Sequence, residues 1–181
     1  TIDQMLTVDL PQSKITKFLF TDVHAAWIWL LLRLYVGYEW LMAGWAKVTD
    51  ENGVWVGAKA GAAVQGFLQG ALQKTGGAHP DVSGWYAWFI QNFALQNTAM
   101  FSYVIAYGEI AVGLGLIFGL FTALAAFFGA VMNFNFLFAG TVSVNPLFVL
   151  IEIFIILAWR TAGYWGLDYF VIKSYLQKRA N

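Results

Sequence analysis

Residues 99–140 contain a single charged residue, Glu109, in a stretch long enough to cross a bilayer twice at about 1.5 Å per residue. Residues 23–46 and 146–162 have the same apolar character, so four spans are expected: 23–46, 99–119, 121–140 and 146–162. The Gly119–Leu120–Phe121–Thr122 corner leaves room only for a tight antiparallel hairpin between the middle two, and Asn145–Pro146 caps the last. Only 11% of the side chains are charged, against roughly 25% in soluble domains, so water could not cover this surface. The expected fold is all-α: a polytopic membrane four-helix bundle forming one domain over residues 1–181.

The cations set the orientation. Lys14 and Lys17 precede the first span, Arg160 ends the apolar run of the fourth with Lys173, Lys178 and Arg179 beyond it, and Lys47, Lys59 and Lys74 are spread over the opposite side. Both termini are therefore expected in the cytoplasm of a multi-pass protein of the cell membrane. The opening 22 residues lack the order of a cleaved signal and read as a tail with a short interfacial helix; Tyr164, Trp165, Tyr169 and Tyr175 read as an aromatic belt. The outer loop, residues 48–98, carries two amphipathic patterns, Ala60–Ala63–Val64–Phe67–Leu68–Leu72 and Trp85–Trp88–Phe89–Phe93, expected either on the outer membrane surface or as a lid on the spans.

Several chemistries are excluded. The chain has no cysteine, which removes thiolate metal sites, iron–sulfur clusters and cysteine nucleophiles. His24 and His79 fall on opposite sides and cannot form a bis-histidine haem, so no haem, flavin or metal is expected. Net charge zero offers no field for nucleic acid.

Ionisable groups inside a span are costly and mark functional candidates. Arg33, Gly37, Trp40, Gly44 and Lys47 follow steps of four, three, four and three, so they share one inward face of the first span. Counted from the span ends, Arg33 and Glu109 reach similar depth, with Asn133 and Asn135 on the third span; the arginine and the glutamate are expected to meet across the bundle. One reading is a structural ion pair with asparagines as interhelical glue. The other is a polar cavity in which Glu109 and Arg33 are catalytic, Trp40, Asn133, Asn135 and Glu39 surround a quinone headgroup, and a carboxyl delivers protons to the reduced ring. Glu39 points about a third of a turn off the Arg33 face; it and Glu152 face either a neighbouring helix or a second protomer.

Arg33–Leu34 with Gly37, Gly44 and Lys47, then Gly108–Glu109 with Gly113, Gly115 and Gly119, resembles the DoxX/DoxD membrane proteins. The resemblance continues through Asn133–Phe134–Asn135–Phe136, Ala139–Gly140, Asn145–Pro146 and the run from Ala162 to Asp168. It implies a membrane subunit similar to the DoxD large subunit of thiosulfate:quinone oxidoreductase, which works with a small DoxA subunit, oxidises thiosulfate to tetrathionate and passes electrons to quinone as substrate. Glu39 and Glu152 fall outside the general family pattern. Lys47 is the one family-matched cation on the outer side and the expected anion-binding residue, with a partner completing that site.

The expected partners are membrane lipid, a DoxA-like small subunit or a larger membrane complex, and a second copy in a homo-oligomer. The alternative function is a non-catalytic accessory subunit of a respiratory or photosynthetic complex that binds quinone or lipid. A small-molecule transporter is the third reading, against which the absence of an evident inverted repeat counts.

Overall fold

The computed structural model describes residues 13–171, which are helix and turn with no strand among them. Residues 1–12 of the leading tail, together with Tyr175, Lys173, Lys178 and Arg179, lie outside the described residues.

Helix α1 (Lys14–Thr21) opens on Ser13, whose Oγ accepts from the Thr16 N–H at 3.1 Å as an N-cap. Asp22 then starts the next turn. Its carboxylate accepts from the His24 backbone N–H at 2.9 Å and meets His24 Nδ1 at 2.7 Å, and these bonds hold it below the usual carboxylate range. The chain bends by 72° and continues as α2 (Ala26–Val48), with Trp29 Nε1 donating to the Leu19 carbonyl at 2.8 Å to tie α1 across its start.

Helices α3 (Ala62–Leu72) and α4 (Gly84–Phe89) form the segment between the first two expected spans. Through a π turn (Ile90–Ala94) and a 3-10 turn (Leu95–Asn97), α4 runs directly into α5 (Thr98–Phe118), giving one helix of 35 residues, Gly84–Phe118. Helices α6 (Thr122–Phe138) and α7 (Asn145–Leu157) complete the order.

Among the described residues only Gly84–Phe118 is by itself long and apolar enough to cross a membrane; Lys14–Thr21 with Val23–Val48 qualifies together as a bent pair. Thr122–Phe138 and Asn145–Leu157 are shorter apolar helices. The fourth expected run, 146–162, breaks at Ala158, where the chain enters turns that fold back toward the α5–α6 corner. As 13 residues, α7 reaches only about 20 Å.

α2 packs chiefly on α5, and α6 on α7. The α2–α5 contact is close because it is made of glycines: a Cβ on Gly113 would lie 2.6 Å from Leu41 N, and one on Gly44 would lie 2.8 Å from the Ala106 carbonyl oxygen. Two apolar cores result. One, around Val36, Trp40, Leu116, Ala126 and Ile155, lies among α2, α5, α6 and α7; the other, around Val64, Leu68, Tyr86 and Ile90, joins α3 and α4 to the start of α5.

The loop helices therefore form a lid packed on the longer helices. The second lid helix buries Tyr86, Ile90 and Ala94, one residue round from the expected face; Trp85, Trp88 and Phe93 point outward. The small Ala94 and the Tyr86 and Ile90 side chains fit against α3 and α6 where the bulkier indoles do not, and the Tyr86 hydroxyl finds a partner there in Asn135. Leu114, Phe118, Leu124, Phe127, Phe128, Leu147 and Leu150 are likewise exposed, an apolar surface that only lipid or another chain can cover.

Candidate functional site

The inward face of α2 carries three separate polar junctions. Nearest its start, fully buried Arg33 lies against Gly119 and Gly166, and its Nη2 donates to the Trp165 carbonyl at 3.0 Å. The charge it faces is Asp168. Gly119 has φ +62°, closes α5 in the left-handed conformation and leaves room for the guanidinium; a side chain there would meet both obstacles. Asp168 in turn accepts from the Phe121 and Thr122 backbone N–H groups at 2.7 and 2.9 Å, capping α6 from a distant part of the chain. Arg33 Nε and Nη1 and Thr122 Oγ1 are buried without a hydrogen-bond partner among the described residues.

In the middle, Glu152 of α7 is fully buried and accepts from Trp40 Nε1 at 2.7 Å and Asn133 Nδ2 at 2.8 Å. Gly129 on α6 makes the room, since a Cβ there would run into the carboxylate. Two buried hydrogen bonds thus join α2, α6 and α7 at one point.

At the far end, Lys47 Nζ pairs with Glu109 Oε2 at 2.6 Å and lies 5.0 Å from the Trp55 ring centroid. Glu109 is buried, while Lys47 is partly exposed.

Arg33 and Glu109, expected to meet, lie at different levels and take different partners. The register explains it. Gly37 packs against Leu116 and Ile117, and Gly44 against Ala106 and Ile110, so α2 overhangs the α5–α6 corner by about 10 Å at its start. Arg33 is thereby set opposite Gly119, and Glu109 falls within reach of Lys47. Lys47, expected to bind an anion, has a carboxylate partner. Trp40 and Asn133 come together, but around Glu152, which is satisfied within the chain and needs no second protomer. Glu39 is exposed on the outer face of α2, away from that group.

Asn135 belongs to a different place, a cavity of about 250 Å³ under the lid. Trp55, Phe67, Phe89, Phe101 and Phe136 form its walls, with Tyr86 and Asn135 as its polar side chains. Tyr86 Oη lies 3.1 Å from both the Asn135 carbonyl and Oδ1, and donates toward them. A larger apolar groove of about 670 Å³ runs along α5 and α6 from Val104 to Phe121. Val104, Val131 and Met132 line both spaces, so they adjoin.

Sequence reasoning assigned no role to Tyr86 or Asp168. Tyr86 had no distinguishing signal in the Trp85–Tyr86–Ala87–Trp88 run. Asp168 had one: a lone acid closing an apolar segment that follows a helix corner with no capping side chain of its own.

The model of the DoxX family matches residues 28–141, from early in α2 to just beyond α6. The chain is a member of the DoxX family of membrane-associated proteins. The match takes in the Lys47–Glu109 pair, the cavity and the lid, and ends before α7 and the turn bearing Asp168. Comparison with curated proteins and with solved structures finds no match.

Proposed function

We propose that this chain is the membrane subunit of a quinone-linked oxidoreductase and holds the quinone ring under the lid. α2, α5, α6 and the 146–162 run, α7 with the turns that follow it, then cross the bilayer, with both termini cytoplasmic beside Lys14, Lys17 and Arg160. The observation that carries the reading is the adjacency of the two spaces: an aromatic cavity with a small polar end opens beside an apolar groove along α5 and α6. A flat ring with hydrogen-bond acceptors fits the first, and an isoprenoid tail fits the second, which follows α5 for about 21 Å from Val104 to Phe118.

In this reading the second Asn135 amide N–H, beyond the one bonded to the Val131 carbonyl, donates to a ring oxygen, the Tyr86 hydroxyl holds the Asn135 side-chain oxygen in place, and Phe101 and Phe136 flank the ring. Glu109 lies one turn along α5 from Ile105 of the cavity wall, so the Lys47–Glu109 pair is the nearest acid–base pair on that helix and the proposed source of protons. Trp40, Asn133 and Glu152 brace the helices behind. The DoxD resemblance supplies the donor: a DoxA-like partner couples two thiosulfates into tetrathionate and releases two electrons, and the quinone takes those and two protons to become a quinol.

Quinone quenching of tryptophan fluorescence tests this, because Trp55 lines the cavity. Val104 is exposed at the junction, so Val104→Phe plugs it at little cost to the fold. Long-tailed quinone should bind at least about tenfold more weakly to Val104→Phe, tail-less ring analogues should bind as before, and Asn135→Leu should weaken both. Undiminished binding of the long-tailed quinone in both variants would refute the site. Binding intact but no thiosulfate-dependent reduction with a DoxA-like partner present would leave a quinone-holding accessory subunit.

A further inference from the structure

Glu39 stands near the middle of α2, 13 residues from Ala26 and nine from Val48, with its side chain exposed. Among the described residues it has no hydrogen-bond or ion-pair partner, unlike Glu109 and Glu152. Around it Leu31, Tyr35, Tyr38, Met42 and Trp45 recur in steps of four, three, four and three, and all five are exposed. If α2 crosses the bilayer, as the functional reading above assumes, a carboxyl group at this depth would otherwise face hydrocarbon, which supplies no partner.

What the face offers is self-complementary. Among the described residues another copy of this chain has no free cation at this level, because Arg33 is enclosed at the α5–α6 corner and Lys47 holds Glu109. It does have phenol donors on the same face. Two copies in one membrane share an orientation, so a twofold axis along the bilayer normal sets α2 beside α2 in parallel, each residue level with its counterpart. The four–three spacing of the exposed residues is that of a parallel two-helix seam. Tyr35 also packs edge-on against Phe148 within its own chain, which leaves Tyr38 as the freer donor.

We propose that this face is the contact between two copies of the chain, packed α2 against α2, with Glu39 of each hydrogen-bonded to the Tyr38 hydroxyl of the other. The cysteine-free sequence makes the test direct, since each introduced cysteine is the sole thiol. Full-length protein in its native membrane carries Met42→Cys or Leu31→Cys on the seam, or Phe128→Cys or Leu150→Cys on exposed parts of α6 and α7. Oxidation should trap dimers at the two seam positions at least tenfold more than at the controls. Adding Glu39→Leu to Met42→Cys should cut the dimer yield about tenfold, and Glu39→Gln, which still hydrogen-bonds, should largely keep it. Light scattering of the purified cysteine-free protein gives an independent reading: dimer for the parent and Glu39→Gln, monomer for Glu39→Leu. Equal cross-linking at all four positions, or dimers indifferent to Glu39→Leu, overturns the proposal. Cross-linking of Met42→Cys to a different protein in place of a second copy also overturns it, in favour of a cation-bearing partner helix. Rapid labelling of Met42→Cys by a membrane-impermeant maleimide would instead refute the bilayer placement of α2 on which both readings rest.

Discussion

Replacing Lys47 by methionine separates the register seen here from the pairing expected along the sequence. The ammonium lies 2.6 Å from a Glu109 carboxylate that is only 2% exposed, and 5.0 Å from the Trp55 ring. Removing one member of a buried pair strands the other, at about 3–5 kcal/mol, and loss of the ring contact adds about 0.5–1 kcal/mol. Interactions inside membranes measure smaller, because the unfolded chain in lipid also finds partners, so we expect the lower part of that range, about 3 kcal/mol. The second substitution decides the matter. Lys47→Met with Glu109→Leu replaces the pair by apolar groups of similar size and should recover most of the loss, a coupling of at least about 2 kcal/mol. Arg33→Met with Glu109→Leu should be additive to within about 0.5 kcal/mol, since the two residues take different partners. Reversible unfolding in mixed detergent micelles, followed by tryptophan fluorescence, measures both cycles. A Lys47–Glu109 coupling below about 0.5 kcal/mol, or a larger one for Arg33–Glu109, would refute the register and the three-junction description of α2.

Asp168→Ala removes the acceptor for two backbone N–H groups at the start of α6 and should cost about 1–2 kcal/mol in the same unfolding assay, with faster hydrogen exchange at Phe121 and Thr122. Asp50, beyond the end of α2, accepts from the Val54 and Asn52 backbone N–H groups, and these bonds hold its carboxyl below the ordinary value of 3.8. With the folded value depressed, its contribution is complete above the ordinary value and lost as pH falls through the lower one. Val54 amide exchange should therefore stay slow at mildly acidic pH and speed up only below the ordinary carboxylate range. Asp50→Asn should abolish that pH dependence, and an unchanged profile would show that the carboxylate does not order this turn.

The helices were legible because long apolar runs allow little else: α2, α5, α6 and α7 fall on the four apolar runs, although α5 continues back into α4 without a break and the fourth run leaves its helix at Ala158. The inward face of α2 was legible too, since four–three spacing states directly which residues share a side, and Arg33, Gly37, Trp40 and Gly44 are all buried. What could not be read was how far one helix slides along another. Counting depth from span ends assumes flush ends, but the glycine contacts between α2 and α5 set an overhang of about 10 Å, enough to exchange Arg33 for Lys47 as the partner of Glu109. A salt bridge tolerates several positions along a helix face because lysine and glutamate side chains are long. A glycine with 2.6 Å between its missing Cβ and a neighbouring backbone tolerates one. Register between α2 and α5 is therefore governed by the least chemically conspicuous residues, with the charges adapting to it. The cavity escaped sequence reasoning for a related reason: Phe67, Tyr86, Phe101 and Asn135 come from four different helices, and only the docking of the lid brings them together. Asn133 and Asn135, two residues apart and alike on paper, consequently face a sealed core on one side of α6 and the cavity under the lid on the other.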